Sequence, residues 1–226
     1  MTIDKFYLQL ARRGLNVSLF FCGLAAIGIL LALKIPFPIA ILPFLFLSIC
    51  YFAIHLYYWQ RAKKLSPLPL TGSLPNNHYL IENIDPNYYF FLPNGLLYQK
   101  ITLHKAYSGK KMVVQSKDGE KIYLLLRKER NEYIIIQNEQ VVLRILIEDK
   151  SLQEMPTNEK TIIVRKNGGS GIYFYENNHL IGQLQKGWMP LAWIHLFRLN
   201  TPVLTFLEPL PMDEKIALFL VTTIFV

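Results

Sequence analysis

Two long runs without charged residues occupy the first quarter of the chain. Leu15 to Leu33 and Ile39 to Trp59 contain no Asp, Glu, Lys or Arg. Each run is long enough to cross a hydrocarbon core of about 30 Å as a helix, and only residues 34–38 separate them. The pattern therefore predicts a two-helix transmembrane hairpin over residues 15–64, preceded by a short N-terminal segment, residues 1–14.

The remainder of the chain alternates short apolar stretches with turn residues. A linker rich in Pro, Gly and Asn covers residues 65–78. After it, the strongest turn signal is Asp118-Gly119, because a two-residue hairpin turn of this type needs positive φ. The spacing predicts about nine or ten strands in an antiparallel sandwich or barrel over residues 79–226. The predicted strands are residues 88–92, 96–103, 111–117, 120–127, 132–137, 140–148, 161–166, 171–176, 179–186 and 203–207.

The last segment, Ile216 to Val226, is apolar on every side apart from Thr222 and Thr223. Pro, Asp and Glu within residues 211–214 indicate that a helix starts here. The segment is too short to span a bilayer, and a helix without a polar face must be buried all round. In a β domain, the inside of a closed barrel is the place where a helix is buried all round. The alternatives are a last strand over Val221–Val226, which is rich in β-branched residues, and a tail that enters the membrane.

Positive charge is concentrated around the two apolar runs. Between them there is one cation, Lys34. The flanking cations are Lys5, Arg12 and Arg13 on one side and Arg61, Lys63 and Lys64 on the other. Because the cytoplasmic flanks of membrane spans are enriched in Lys and Arg, both ends of the hairpin and the rest of the chain are expected in the cytoplasm, at a cell membrane. The abundance of Asn, Lys, Ile and Tyr is typical of a low-GC bacterium.

The order of elements in the second part of the chain resembles a known superfamily. Strand pairs around short polar turns, SKDGEKIYLLL, NEYIIIQNEQVVLRI and GIYFYENNHLIGQL, precede the apolar helix MDEKIALFLVTTIFV. Over about residues 80–226, this order resembles the tubby C-terminal, LURP-one and phospholipid-scramblase superfamily. The resemblance implies an antiparallel β-barrel threaded by a hydrophobic C-terminal helix. It also implies a lipid-binding or adaptor role, since some members are similar to phosphoinositide-binding adaptors.

Signals for catalysis and for metal binding are weak. The sequence has no phosphate-binding loop, dinucleotide-binding fingerprint, HExxH or GxSxG motif. The Gly-rich residues 167–171 precede a strand-like stretch, so a hairpin loop is expected there rather than a phosphate cradle. The histidines after the hairpin lie far apart; they are His78, His104, His179 and His195. We therefore expect no enzyme activity, no metal and no cofactor.

Two features are candidate binding sites. One is a basic cluster that could meet anionic lipid at the inner leaflet, although lysines also blunt solvated strand edges. Its members are Lys105, Lys110, Lys111 and Lys117. The other is the segment GWMPLAW, whose Trp188 and Trp193 could contact the bilayer or a partner, or could belong to the core. Residues 65–226 carry a net charge of +2 from 17 basic and 15 acidic side chains, so nucleic acid is not an expected partner.

The sequence therefore favours a membrane-anchored, non-enzymatic protein. In this hypothesis the hairpin holds a cytoplasmic barrel that binds membrane lipid or a protein partner. The alternative is an interaction protein of a secretion or immunity system that acts through its transmembrane hairpin. A membrane-bound enzyme is the third class of protein considered.

Overall fold

The chain folds into two compact units. The computed structural model describes residues 1–32, 41–65, 77–106, 109–116, 119–127, 132–148, 161–166, 171–187 and 189–226. The first unit, Met1–Pro69, is a pair of helices, and the second, Leu70–Val226, contains the β-strands and the C-terminal helix.

The helix pair consists of α1, Ile3–Ala32, and α2, Leu42–Lys64. Both helices are long and apolar enough to cross a membrane. Helix α1 begins earlier than predicted, because the polar N-terminal residues continue the same helix. Asp4 lies in its first turn, where a carboxylate complements the positive end of the helix dipole. The predicted turn around Lys34 lies outside the described residues.

Small side chains bring α1 and α2 close together. A Cβ atom on Gly14 would lie 3.3 Å from the backbone N of His55 and 3.3 Å from the carbonyl O of Tyr51. One turn further along α1, the hydroxyl of Ser18 donates to the carbonyl O of Ser48 at 2.9 Å. The hydroxyl of Ser48 donates in return to the carbonyl O of Ser18 at 3.0 Å. Close backbone approach and interhelical hydrogen bonds are the forces that hold apolar helices together in lipid.

Eleven strands form a closed barrel in the described part of the second unit. The strands are β1 His78–Ile84, β2 Asn87–Phe91, β3 Leu97–Ala106, β4 Gly109–Ser116, β5 Gly119–Arg127, β6 Glu132–Gln137, β7 Gln140–Glu148, β8 Thr161–Lys166, β9 Gly171–Glu176, β10 His179–Gln185 and β11 Val203–Phe206. Each strand pairs with its neighbours in the sequence, and β1 pairs with β11 to close the ring. A closed barrel leaves no unpaired strand edge.

The predicted barrel is confirmed, with two differences in its strands. All ten predicted strands are present with small shifts at their ends, but β1 was missed. The sequence of β1 shows no clear alternation, because both faces of the strand are buried. Tyr79 and Ile81 belong to the core, and Leu80 and Glu82 are buried on the opposite face. The second difference is one parallel pair, β7 with β8, in an otherwise antiparallel barrel.

Helix α4, Met212–Thr222, fills the barrel interior. Its residues from Ile216 to Val221 are buried together with inward-facing side chains of the strands. The ring centroid of Phe219 lies 4.5 Å from that of Phe90 and 5.0 Å from that of Tyr79. The predicted buried helix is therefore confirmed, and a last strand or a membrane-inserted tail is wrong.

The two buried threonines of this segment satisfy their own hydroxyl groups. The hydroxyl of Thr222 donates to the carbonyl O of Phe219, and that of Thr223 donates to the carbonyl O of Leu220, each at 2.7 Å. A buried hydroxyl without a partner would destabilise the core. These local bonds allow two polar residues to lie in an apolar interior.

Candidate functional site

The helix pair presents an extensive apolar surface. No residue of α2 is buried, and both helices expose large hydrophobic side chains. These include Leu19, Phe20, Ile27 and Leu30 on α1, and Leu42, Phe46, Ile49 and Phe52 on α2. Contiguous apolar surface of this extent is typical of a membrane or protein contact.

Aromatic and cationic side chains form a collar at the C-terminal end of α2. Tyr7 of α1 stacks on Tyr58 with ring centroids 5.9 Å apart. The guanidinium carbon of Arg61 lies 4.9 Å from the centroid of the Tyr7 ring, and the ammonium of Lys63 lies 3.6 Å from that of Trp59. Aromatic rings with adjacent cations are enriched at the headgroup level of a membrane. The collar therefore marks the end of the apolar surface that has the composition typical of a membrane's headgroup region.

A histidine joins the two helices near the same end. Nδ1 of His55 lies 2.8 Å from the carbonyl O of Ala11. Because a carbonyl oxygen only accepts hydrogen bonds, Nδ1 is the donor of this contact. The contact holds the ring of His55 against α1.

The backbone register brings three of the four predicted lysines together. Lys105 and Lys110 are opposite each other on β3 and β4, and Lys111 is opposite His104. Lys117 lies outside the described residues. Its neighbour Ser116 ends β4, roughly 20 Å along the strand from Lys110 at about 3.3 Å per residue.

Further cations lie at the barrel end that contains Lys105 and Lys110. The strand directions place the start of β4, the end of β5, the start of β6 and the C-terminal ends of β7 and β8 at this one end of the barrel, and Lys166 is the last residue of β8. The ammonium of Lys166 lies 5.2 Å from the ring centroid of Phe225. Lys186 donates to the carbonyl O of the same Phe225 at 3.4 Å. We call this the basic end of the barrel.

The position of these cations suits the direction of α4. The C-terminal end of a helix carries partial negative charge on its free carbonyl groups. Lys166 and Lys186 lie beside Phe225, just beyond the end of α4. Sequence reasoning missed both, since only strand register brings them to the end of the barrel that holds Lys110.

A strap formed by residues 189–202 lies on the outside of the barrel. It contains the short helix α3, Leu191–Ile194. Trp193 is half-buried, with its ring centroid 5.6 Å from that of His78 on β1. Phe197 is buried, with its ring centroid 6.0 Å from that of Phe91 on β2. Trp188, the other predicted contact residue, lies outside the described residues, and a membrane or partner contact for Trp193 stays a prediction.

A buried carboxylate fastens the strap to β1. Glu82 is fully buried, and both of its oxygens accept hydrogen bonds from the strap. Arg198 donates to Oε2, and Thr201 donates to Oε1 at 2.7 Å. A buried carboxylate must be paired and hydrogen-bonded to be tolerated. The sequence signal was an acid in the middle of an apolar stretch, which was not recognised as a buried ion pair.

His78 lies at the contact between strap and barrel and is partly buried there. Burial lowers the pKa of His78 from its ordinary value of 6.5, and its Nδ1 lies 3.0 Å from Oγ1 of Thr205. The folded state therefore favours the neutral imidazole. This stabilisation is complete above pH 6.5 and is lost as the pH falls from that value towards the lower, folded-state pKa.

We accordingly expect the melting temperature to fall less on acidification in His78→Gln than in the wild-type protein. The measurement is thermal unfolding of both proteins in detergent, at about pH 7.5 and about pH 5.5. Identical pH dependence in the two proteins would contradict the assigned role of His78.

The described residues hold no group of three or more His, Cys, Asp or Glu side chains placed to bind a metal ion. Comparisons with protein-family models, with curated proteins and with solved structures find no match to this chain. The resemblance to the tubby and LURP-one superfamily is therefore neither supported nor contradicted by them, and it stays a prediction.

Proposed function

We propose that this protein is a membrane-anchored, non-enzymatic binding protein. The hairpin crosses a bacterial cell membrane twice, with both of its ends in the cytoplasm. The barrel, which we place with the tubby-like and LURP-one-like proteins, binds an anionic lipid or a protein partner beside the membrane. The observation that carries this proposal is the apolar surface along both helices, which ends at the aromatic and cationic collar.

The barrel supports binding at its surface rather than in its interior. Helix α4 occupies the interior, so a ligand has to be recognised by outward side chains or by the barrel ends. The basic end collects lysines from β3, β4, β8 and the residue after β10. Near an anionic membrane surface each cation contributes about 1 kcal/mol of attraction. Anionic lipid is therefore the ligand that we favour for this end.

The membrane topology can be tested with two single-cysteine variants. In a background with Cys22 and Cys50 changed to Ser, we expect Lys34→Cys to react with a membrane-impermeant maleimide in intact cells. Ser73→Cys should react only after the cells are permeabilised, because the linker is on the cytoplasmic side. Labelling of both cysteines from the same side would contradict two membrane crossings.

Lipid binding can be tested with the full-length protein in nanodiscs of neutral lipid. We expect it to cosediment with vesicles that contain phosphatidylserine, and salt should release it because exposed charges are screened. The double variant Lys110→Glu and Lys166→Glu should lose most of this binding. Lys121→Glu, which changes an exposed lysine near the other end of β5, is the matched control. Equal binding by the wild-type protein, the double variant and the control would show that the basic end does not bind anionic lipid.

A role through the hairpin itself is the second candidate. The reciprocal Ser18–Ser48 bonds and the His55–Ala11 bond fix one arrangement of the two helices. A pair with one fixed arrangement presents one defined surface, which suits contact with another membrane protein. Replacement of both helices by an unrelated two-span anchor should preserve function if the barrel carries it, and should abolish function if the hairpin does.

A further inference from the structure

One residue at the basic end of the barrel holds lysines from two different strands. Lys166 is the last residue of β8, and Lys186 follows β10, with β9 between the two strands. The ammonium of Lys166 lies 5.2 Å from the ring centroid of Phe225, and Lys186 donates to the carbonyl O of Phe225 at 3.4 Å. Phe225 therefore contacts both cations. We call Lys166 and Lys186 the lysine pair.

Both members of the lysine pair occupy inward positions at the rim of the barrel. Val164 and Leu184, two residues before them, belong to the core. Because alternate side chains of a strand point to the same face, Lys166 and Lys186 are directed towards the barrel axis. The backbones of β8 and β10 are roughly 10 Å apart. Two lysine side chains that lean towards each other close this gap around one small anion.

The end of α4 does not neutralise the charge of the lysine pair. The free carbonyl groups at a helix C-terminus correspond to about −0.5 of an elementary charge, whereas the pair carries two full positive charges. Each ammonium has three N–H groups, and the carbonyl O of Phe225 takes one of those of Lys186. Lys166 is exposed and Lys186 is half-buried. Donors on both lysines therefore remain for a ligand.

The acids on the neighbouring strands do not pair with these lysines. Glu132, at the start of β6, forms its ion pair with Arg144 at 3.5 Å. Glu148, at the end of β7, is opposite Arg165, which occupies an outward position of β8. Within the described ranges, neither member of the lysine pair forms an ion pair. Its positive charge is therefore left for a partner from outside the chain.

The charge of the lysine pair matches one common anionic group in particular. A phosphate monoester carries about −1.5 to −2 charges at pH 7 and three strongly accepting oxygens. It can therefore balance two ammonium groups and accept hydrogen bonds from both. A carboxylate or a phosphodiester carries a single negative charge and leaves one of the two lysines uncompensated.

We propose that the lysine pair is a subsite for a phosphate monoester and that Phe225 positions its two ammonium groups. The inference rests on the proposed function, in which the basic end binds anionic lipid, and it names the headgroup chemistry. Phosphatidic acid is the simplest lipid with this group. Phe225 is itself held in place, because its N–H donates to the carbonyl O of Thr222 at 3.0 Å and its side chain packs against the core. Lysines held in this way lose less freedom on binding.

The first test compares neutral vesicles that contain phosphatidic acid with others that contain phosphatidylglycerol, a phosphodiester, at equal surface potential. We expect the full-length protein in neutral nanodiscs to bind the phosphatidic acid vesicles about fivefold more tightly, because doubly charged phosphate accepts stronger hydrogen bonds. Lys166→Gln and Lys186→Gln should each remove this preference. Lys121→Gln, near the other end of β5, is the matched control and should keep it. A wild-type protein without the preference would overturn the subsite.

A series of variants at residue 225 tests the positioning role. Phe225→Leu keeps an apolar side chain but removes the aromatic ring, and it should weaken binding to phosphatidic acid vesicles about threefold. Phe225→Tyr keeps the ring and should bind like the wild-type protein. In the Lys166→Gln background, Phe225→Leu should have no further effect, because the cation that the ring contacts is already absent. The same loss in both backgrounds would show that Phe225 has only a structural role.

Calorimetric titration of glycerol 3-phosphate into the same nanodiscs distinguishes a soluble source of the phosphate from a lipid. Binding that Lys186→Gln abolishes, without binding to vesicles, supports the subsite and overturns lipid as its ligand. Binding to phosphatidic acid vesicles alone supports the subsite with lipid as the source. A protein that binds neither vesicles nor glycerol 3-phosphate overturns the proposed function and the subsite together. Equal binding to both kinds of anionic vesicle overturns the subsite alone.

Discussion

Removal of residues 216–226 is expected to prevent the barrel from folding. These residues form most of α4 and fill the interior. The smaller change Phe219→Ala should lower the free energy of unfolding by about 3–5 kcal/mol, through lost burial and the cavity left behind. The ring of Phe219 contacts those of Phe90, Tyr79, Phe206 and Tyr98, with centroids 4.5–5.8 Å apart. A loss of this size is a large part of the 5–15 kcal/mol that typically stabilises a domain.

The measurement is denaturant unfolding of the full-length protein in detergent, followed by circular dichroism. Leu207→Ala is the control, since this leucine is 46% exposed just after β11, and its removal should change stability by less than about 0.5 kcal/mol. A truncated protein with the wild-type unfolding transition would show that α4 is not part of the core.

Arg198→Ala is expected to lower the free energy of unfolding by about 3 kcal/mol, because it leaves the carboxylate of Glu82 buried without its charged partner. Glu82 is fully buried, whereas Arg198 is 40% exposed. The expected loss therefore comes mainly from the unpaired carboxylate and only in small part from the arginine. The fluorescence of Trp193 should also change, since the strap that carries it loses its attachment to β1.

Two further variants make this prediction specific. Glu208→Gln breaks the exposed pair of Glu208 with His179, and a change in stability should be hard to detect because solvent already screens the pair. The double variant Glu82→Met and Arg198→Leu should recover much of the stability, since an apolar pair needs no compensating charge. Equal effects of Arg198→Ala and Glu208→Gln would contradict a buried attachment of the strap.

The two apolar helices and most of the barrel were predictable because their signals are local. Each signal indicates one element without reference to the others. The signals are the uncharged runs, turn residues such as Asp118-Gly119, and the apolar segment at residues 216–226. β1 was missed because Glu82 reads as a polar, exposed position in isolation. Its burial depends on Arg198 and Thr201, which are far away in the sequence.

The candidate sites depend on strand register, which a single sequence does not provide. Lys105, Lys110 and Lys111 were recognised as a group because they are neighbours in the sequence. Lys166 and Lys186 belong to the same barrel end only through the pairing of several strands. Stretches such as YIII and YLLL are apolar at both odd and even positions, so the pattern alone does not assign an inner and an outer face to these strands.

The pairing of β1 with β11 sets the order of events during synthesis of the protein. The two apolar helices emerge from the ribosome before the barrel, which follows them in the chain. The ring, however, cannot close until β11 is available, and its interior cannot be filled until α4 has followed. Until then the nascent barrel remains open, with its apolar interior accessible. Protection by a chaperone at this stage would suppress aggregation of the exposed strands.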